Sequence, residues 1–299
     1  MRAPVARGDD LFDETFMSRL SWLEIVAKRA IQGRDRGERR LRRLGAGLEF
    51  ADHRRYSPGD DFRHIDWNVY QRLGKLLLRL YEEDEDLTVY VLVDTSASMG
   101  LAGGARFDQA RRIAASLAYI ALANLDRASV VAIGEEAGPR FVPARGKAQL
   151  FPILDFLRGL EPGGCTRLGD SVRSFVKKAP RRGLVLVISD LYAEDGYTDG
   201  LSLLRYHHFE PLMLHLTDAG ELPGAGRGEV SLVDCETGVT REITLTPKVL
   251  ARYEEARLRW RDDVESFCLS QQIPYLEVLA GRPMEDVVVD LLRHGGFLR

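Results

Sequence analysis

The chain has 299 residues, enough to bury one large core or two modest ones. Its 42 basic and 45 acidic residues leave a formal charge of −3, which gives no ground for a nucleic-acid or membrane-surface partner. The longest weakly polar run, Ile113 to Leu125, is alanine-rich and shorter than the roughly 20 apolar residues that span a bilayer, so no integral membrane segment is expected. In chain order, MRAPVARGDDLFDE lacks the apolar stretch of a secretory signal, and a cytoplasmic protein is expected. Leu11, Phe12, Phe16, Leu20, Leu23 and Ala27 recur at helical spacing, predicting an amphipathic helix over 11–30 whose apolar face needs a partner. The basic stretch GRDRGERRLRR reads as a solvated segment and receives no function. Between Gly47 and Glu83, the strand-like pieces LEFADHRRY and KLLLRLYEE flank the polar segment SPGDDFRHIDW, which predicts a small β-rich module. Residues 1–86 are therefore read as an N-terminal helix plus that module.

From 87 to 299 strands alternate with helices, the pattern of an α/β domain whose mostly parallel central sheet is covered by helices on both faces. The strands are TVYVLVD, SVVAIG, GLVLVIS, PLMLHLT and PYLEVLA. Helices are predicted over 107–125, about 148–160, 168–179, about 200–207, 248–271 and along MEDVVVDLLRH. Two short strands around ETG, near 228–246, read as an inserted hairpin. Cys165, Cys235 and Cys268 are odd in number and widely spaced, which fits a reducing compartment and buried thiols better than a disulfide framework.

Three loops at one sheet edge carry oxygen ligands. DTSASMG puts Asp94, Ser96 and Ser98 just beyond the first buried strand, where open α/β sheets bind ligands. GGCTRLGDS presents Thr166 behind a flexible glycine pair, and VISDLYAEDG presents Asp190 at the end of another buried strand. Carboxylates and hydroxyls without nitrogen or sulfur suit a hard cation, Mg²⁺ first, with Mn²⁺ or Ca²⁺ accepting the same ligands. Alone, Asp-x-Ser-x-Ser would be an ordinary turn or helix cap; three loops together favour the metal.

In that order and at those intervals, the residues resemble the metal-ion-dependent adhesion site of von Willebrand factor A domains. The resemblance implies a Rossmann-like fold of that type, direct ligation by Ser96 and Ser98, and ligation by Thr166, Asp94 and Asp190 directly or through water. A cation held mainly by neutral hydroxyls stays electrophilic and accepts an acidic side chain from a partner protein. The segment YSPGDDFRHIDWNVYQRLGKLLLRLYEEDED ahead of DTSASM, with VDCETG, RWRDDVESFC and IPYLEV later, resembles the prokaryotic domain-of-unknown-function family 58. Its signature falls here on Gly59, Asp60, Asp61, Arg63, Ile65, Asp66 and Trp67. Members are typically encoded beside MoxR-type AAA+ ATPases, which implies such an ATPase as partner and a role as adaptor or co-chaperone in assembling a protein complex.

Read without the family, Asp60, Asp61 and Asp66 could form an acid and base pair. Turn and capping chemistry, pairing of Arg63 with a neighbouring carboxylate and Trp67 as a packing anchor explain them better; a partner-docking surface lies between these readings. His207 and His208 end a helix without metal-ligand spacing and carry no role. The alternative to a binding module is a Mg²⁺-dependent hydrolase or phosphoryl-transfer enzyme using the same carboxylates. Against it stand the lack of a GxxxxGKS/T phosphate loop, of a GxSxG nucleophile turn, and of a His or Cys paired with a base near the metal loops. No catalytic residue is expected. An adhesin-like surface protein is a third reading, opposed by the free cysteines and the N-terminal sequence.

Overall fold

The computed structural model describes residues 11–34, 44–45, 49–57, 60–82, 87–193, 195–218 and 228–294. Helix α1 (Glu14–Arg34) begins at Asp13, whose carboxylate accepts the Phe16 N–H at 2.7 Å as an N-cap. The chain then forms a small compact unit over 34–86. Within it β1 (Leu44–Gly45), β2 (Glu49–Arg55), α2 (Trp67–Leu73) and β3 (Leu77–Glu82) follow in order, and the strands pair antiparallel as β1-β3-β2. The β-rich module was legible, but α2 was not. Its seven residues make barely two turns, too few to show a repeating apolar stripe, and it is held by its ends: the Asp66 carboxylate accepts the Asn68 and Val69 N–H groups, and Gly74 closes it at φ 64°.

The larger unit follows with β4 (Thr88–Asp94), α3 (Ala105–Ala123), β5 (Arg127–Ile133), β6 (Ala137–Arg145), α4 (Leu150–Arg158), α5 (Leu168–Lys178) and β7 (Leu184–Ser189). It continues with α6 (Thr198–Tyr206), β8 (Glu210–Thr217), β9 (Gly228–Val233), β10 (Thr240–Leu245), α7 (Pro247–Ser270), β11 (Tyr275–Leu279) and α8 (Met284–His294). Six strands form one sheet in the order β11-β8-β7-β4-β5-β6, parallel except for the antiparallel pair β5 and β6. Strands β9 and β10 pair as a separate hairpin, as expected.

The period of two along β4 divides the core. Val89, Val91 and Val93 face a cluster built with α1, α3, α4 and α8, while Tyr90 and Leu92 face one built with α5, α6 and α7. This is the α/β architecture expected, with helices on both faces of a mostly parallel sheet. Strand β6 was not anticipated, because Gly138, Pro139 and Pro143 interrupt its pattern; those prolines are tolerated because β6 is an edge strand with an irregular register.

The boundary expected at residue 86 needs one correction. Helix α1 packs in the core of the larger unit, not with the small module, and Phe12, Phe16, Leu20, Leu23 and Ala27 are all buried there. Polar contacts fix it further: Tyr119 donates to Glu24 at 2.6 Å, Lys147 reaches the same carboxylate at 2.8 Å, and Arg19 pairs with Glu285 at 2.9 Å. The apolar face had to find a partner, and the alanine-rich helix α3 helps provide it. Among the described residues no helix is long and apolar enough to cross a membrane.

Candidate metal centre

The centre forms where the chain's crossovers part. From β4 the chain passes through α3, on one face, to β5; it reaches β7 through α5, on the other. The neighbouring carboxyl ends of β4 and β7 thus form the switch point at which open sheets gather ligands. Asp94 ends β4, Ser189 ends β7, and Asp190 follows. The loop carrying Thr166 is laced to the loop after β4: Gly163 N–H donates to the Thr95 carbonyl at 2.8 Å, and Ala97 N–H to the Gly164 carbonyl at 3.0 Å. Gly100 permits this approach, since a Cβ there would lie 2.9 Å from Pro162 Cγ.

These contacts bring all five expected residues together, and each is almost fully buried. Asp94 organises the group. Its Oδ1 accepts the Ser96 N–H at 2.9 Å and the Thr166 hydroxyl at 2.8 Å, and its Oδ2 accepts the Ser189 hydroxyl at 2.6 Å. The hydroxyls of Ser96 and Ser98 lie 2.9 Å apart and share a hydrogen bond. Asp190 Oδ1 accepts the Tyr192 N–H at 3.3 Å, and its Oδ2 accepts from Arg106 at 2.6 Å.

Burial raises the pKa of Asp94 against the opposing hydrogen bonds from Ser189, Ser96 and Thr166. Burial and then the neighbouring Asp94 charge push Asp190 up to about 6, with Ser98 and Arg106 opposing. Two neighbouring carboxyls whose charged forms are disfavoured by burial are what a divalent cation would relieve.

Sequence reasoning missed three participants. Ser189 precedes the expected Asp190 and supports Asp94. Arg106 opens α3 and is only 3% exposed, paired with Asp190 and, through Nε at 3.1 Å, with Asp218. A basic residue in a helix's first turn runs against the helix dipole, and that was the available signal. Glu236 lies in the hairpin turn: its Oε2 accepts the Thr166 N–H at 3.3 Å, and Ser98, Ser96 and Asp190 are near enough to influence its charge. Burial raises the Glu236 pKa.

The donor set fits a hard cation. Every group is an oxygen ligand, hydroxyl lone pairs remain after the internal hydrogen bonds, and Glu236 Oε1 is buried without a hydrogen-bond partner. Among the described residues no group of three or more His, Cys, Asp or Glu side chains has metal-holding geometry, so a cation here would depend on the hydroxyls. A groove of about 540 Å³, lined by Phe16, Arg19, Gln109 and Met284 among others, contains none of the five residues.

In the small unit the three signature carboxylates are engaged by neighbouring side chains and backbone. Arg54 donates to Asp60 at 2.7 Å; Arg63 pairs with Asp61 at 2.7 Å and holds that carboxyl down at about 2. Asp66 is buried, caps α2, and takes Arg79 and His53 at 2.9 Å each, with Arg79 foremost in holding its pKa far down. Gly59 lies outside the described residues. Trp67 is not the packing anchor expected: it is 56% exposed at the start of α2, with its ring edge-on to Tyr70 at 6.1 Å. The thiols also differ in burial. Cys268 is buried, Cys165 partly so, and Cys235, expected inside, is exposed in the hairpin turn.

The family profile described as "Protein of unknown function DUF58" matches residues 52–263. The chain is similar to the uncharacterised proteins Rv1480 of Mycobacterium tuberculosis and Mb1516 of Mycobacterium bovis. Each is 27% identical over 293 residues, covering 96% of this chain and 90% of the relative. Among solved structures, BatB of Bacteroides thetaiotaomicron aligns with 69% of this chain and 97% of its own at 13% identity and a TM-score of 0.43. An aerotolerance-related membrane protein of Bacteroides fragilis aligns with 69% and 98% at 14% identity and a TM-score of 0.44.

Proposed function

The chain belongs to the DUF58 family, and from that premise we propose that it is a protein-binding module whose grip on an acidic partner is a divalent cation, Mg²⁺ first among candidates. The observation that carries this reading is the convergence of Asp94, Ser96, Ser98, Thr166 and Asp190, all buried, at the switch point of the sheet.

The hydroxyls of Ser96 and Ser98 would hold the ion, joined by Thr166, with Asp94 and Asp190 ligating directly or through water. Both Asp94 oxygens already accept hydrogen bonds, so Asp94 chiefly orients Ser96 and Thr166. Arg106 holds one Asp190 oxygen and leaves the other beside a weak backbone contact. When bound, the cation supplies an electrophilic point for a partner carboxylate. The same proposal includes a cytoplasmic location and action with a MoxR-type AAA+ ATPase in assembling or maturing a larger complex, a role supported by the family resemblance alone.

The test is affinity capture from native lysate with wild type in Mg²⁺, wild type in EDTA and a folded Ser96→Ala/Ser98→Ala variant in Mg²⁺. The reading expects a partner retained in the first sample only. A partner retained equally in all three would move the interaction to another surface and overturn the cation's role.

A further inference from the structure

The β9–β10 turn carries a carboxyl of the chain's own into the metal centre. Its backbone is fixed by the hairpin: Asp234 N–H donates to the Val239 carbonyl at 2.9 Å, and the Asp234 carboxylate accepts the N–H groups of Glu236 and Thr237 at 2.8 and 3.1 Å. The loop of Thr166 holds the turn from the other side. Thr166 N–H donates to Glu236 Oε2 at 3.3 Å, and the Cys165 thiol donates to the Glu236 carbonyl at 3.4 Å. One carboxylate oxygen is thus engaged.

The other oxygen, Oε1, is buried and accepts no hydrogen bond, an arrangement that costs free energy unless a positive group meets it. Ser98, Ser96 and Asp190 lie close to this carboxyl. The two hydroxyls spend one of their two protons on each other, and an ionised Asp190 repels a second carboxylate. A cation among these groups would satisfy Glu236 Oε1, Asp190 and the hydroxyl lone pairs together.

We propose, on the basis of the cation reading above, that Glu236 is a built-in occupant of the position that a partner's acidic side chain takes. In the resting chain its carboxylate completes the cation's oxygen shell, and a partner carboxylate binds by displacing it. The hairpin suits that exchange. It forms a two-stranded sheet of its own, so lifting its turn breaks no hydrogen bond of the six-stranded sheet, and most of its residues are exposed. Binding is therefore a competition between one internal and one external carboxylate, and the internal one acts at a high effective concentration.

The experiment uses Mn²⁺ as the ion and acetate as the external carboxylate. Wild type, Glu236→Gln, Glu236→Ala and Ser96→Ala/Ser98→Ala are each checked for folding by circular dichroism. Bound Mn²⁺ is then counted by electron paramagnetic resonance, and its exchangeable waters are read from water-proton relaxivity. The expected result is Mn²⁺ binding to Glu236→Ala about 10-fold weaker than to wild type, with higher relaxivity per bound ion as water enters the vacated position. Acetate should lower that relaxivity in both Glu236 variants and leave wild type little changed. Unchanged relaxivity in both Glu236 variants, whatever their affinity, would overturn the internal ligand while leaving the cation site standing. Wild type binding Mn²⁺ no better than Ser96→Ala/Ser98→Ala would remove the cation reading, and this inference with it.

Discussion

The Ser189 hydroxyl donates to Asp94 Oδ2 at 2.6 Å, so the last residues of two adjacent parallel strands share a buried side-chain hydrogen bond. Ser189 Oγ also accepts the Leu191 N–H at 2.9 Å, which shapes the turn that presents Asp190. Ser189→Ala should leave Asp94 Oδ2 buried and unpaired, lowering stability by about 1–3 kcal/mol in urea titrations. An unchanged midpoint would mean that this bond is dispensable to the fold.

Arg106 is the internal cation of the centre, almost fully buried between Asp190 and Asp218. Arg106→Met should destabilise by about 3–5 kcal/mol, because two carboxylates lose their counter-charge. Arg106→Lys should recover only part of this, since an ammonium cannot reproduce the planar fork that reaches both acids. Thermal melts of the three proteins in EDTA check the ranking, and equal stability of Met and Lys variants would contradict it.

Assignment of α1 to the larger core predicts a contrast between neighbours in sequence. Leu23 is fully buried whereas Trp22 is 50% exposed. Leu23→Ala should cost about 2–5 kcal/mol, and Trp22→Ala no more than about 0.5 kcal/mol, both read from chemical denaturation. Similar losses at the two sites would argue against that packing.

Acid should weaken the fold in two windows. Burial lowers His215 from 6.5 to about 4, so the unfolded chain takes up a proton there that the folded chain refuses; stability falls as pH drops from 6.5 toward 4. Glu24 responds lower on the scale. Burial pushes its carboxyl up, but hydrogen bonds from Lys147, Lys28 and Tyr119 outweigh this and hold it at about 2. Its contribution is complete above the ordinary value of 4.5 and is lost as pH falls through 2. Glu24→Gln should therefore be less stable than wild type at neutral pH, with the gap closing below 4.5; melts across that range would refute this if the gap stayed constant.

Much of this was legible because it depends on local rules. Asp94 ends one buried strand and Asp190 follows another, Thr166 comes after a glycine pair, and their chain order alone suggested a shared edge. Ser189, Arg106 and Glu236 were not found because their roles depend on which loops meet. A serine at a strand end, an arginine at a helix start and a glutamate in a hairpin turn are each unremarkable until Asp94, Asp190 and Thr166 lie against them. Trp67 failed for the opposite reason: large aromatics usually mark a core, and nothing local distinguishes one left on the surface.

Helix α1 meets part of its support almost at the other end of the chain, where Arg19 pairs with Glu285. On a ribosome the two halves of that contact emerge 266 residues apart, a delay of about 13–53 s at common elongation rates. For that interval the stripe from Phe12 to Ala27 lacks the part of its support that arrives with α8, although α3 and Lys147 are already made. The nascent chain therefore offers a holding chaperone a defined binding site, and slow synthesis should raise its risk of misassembly.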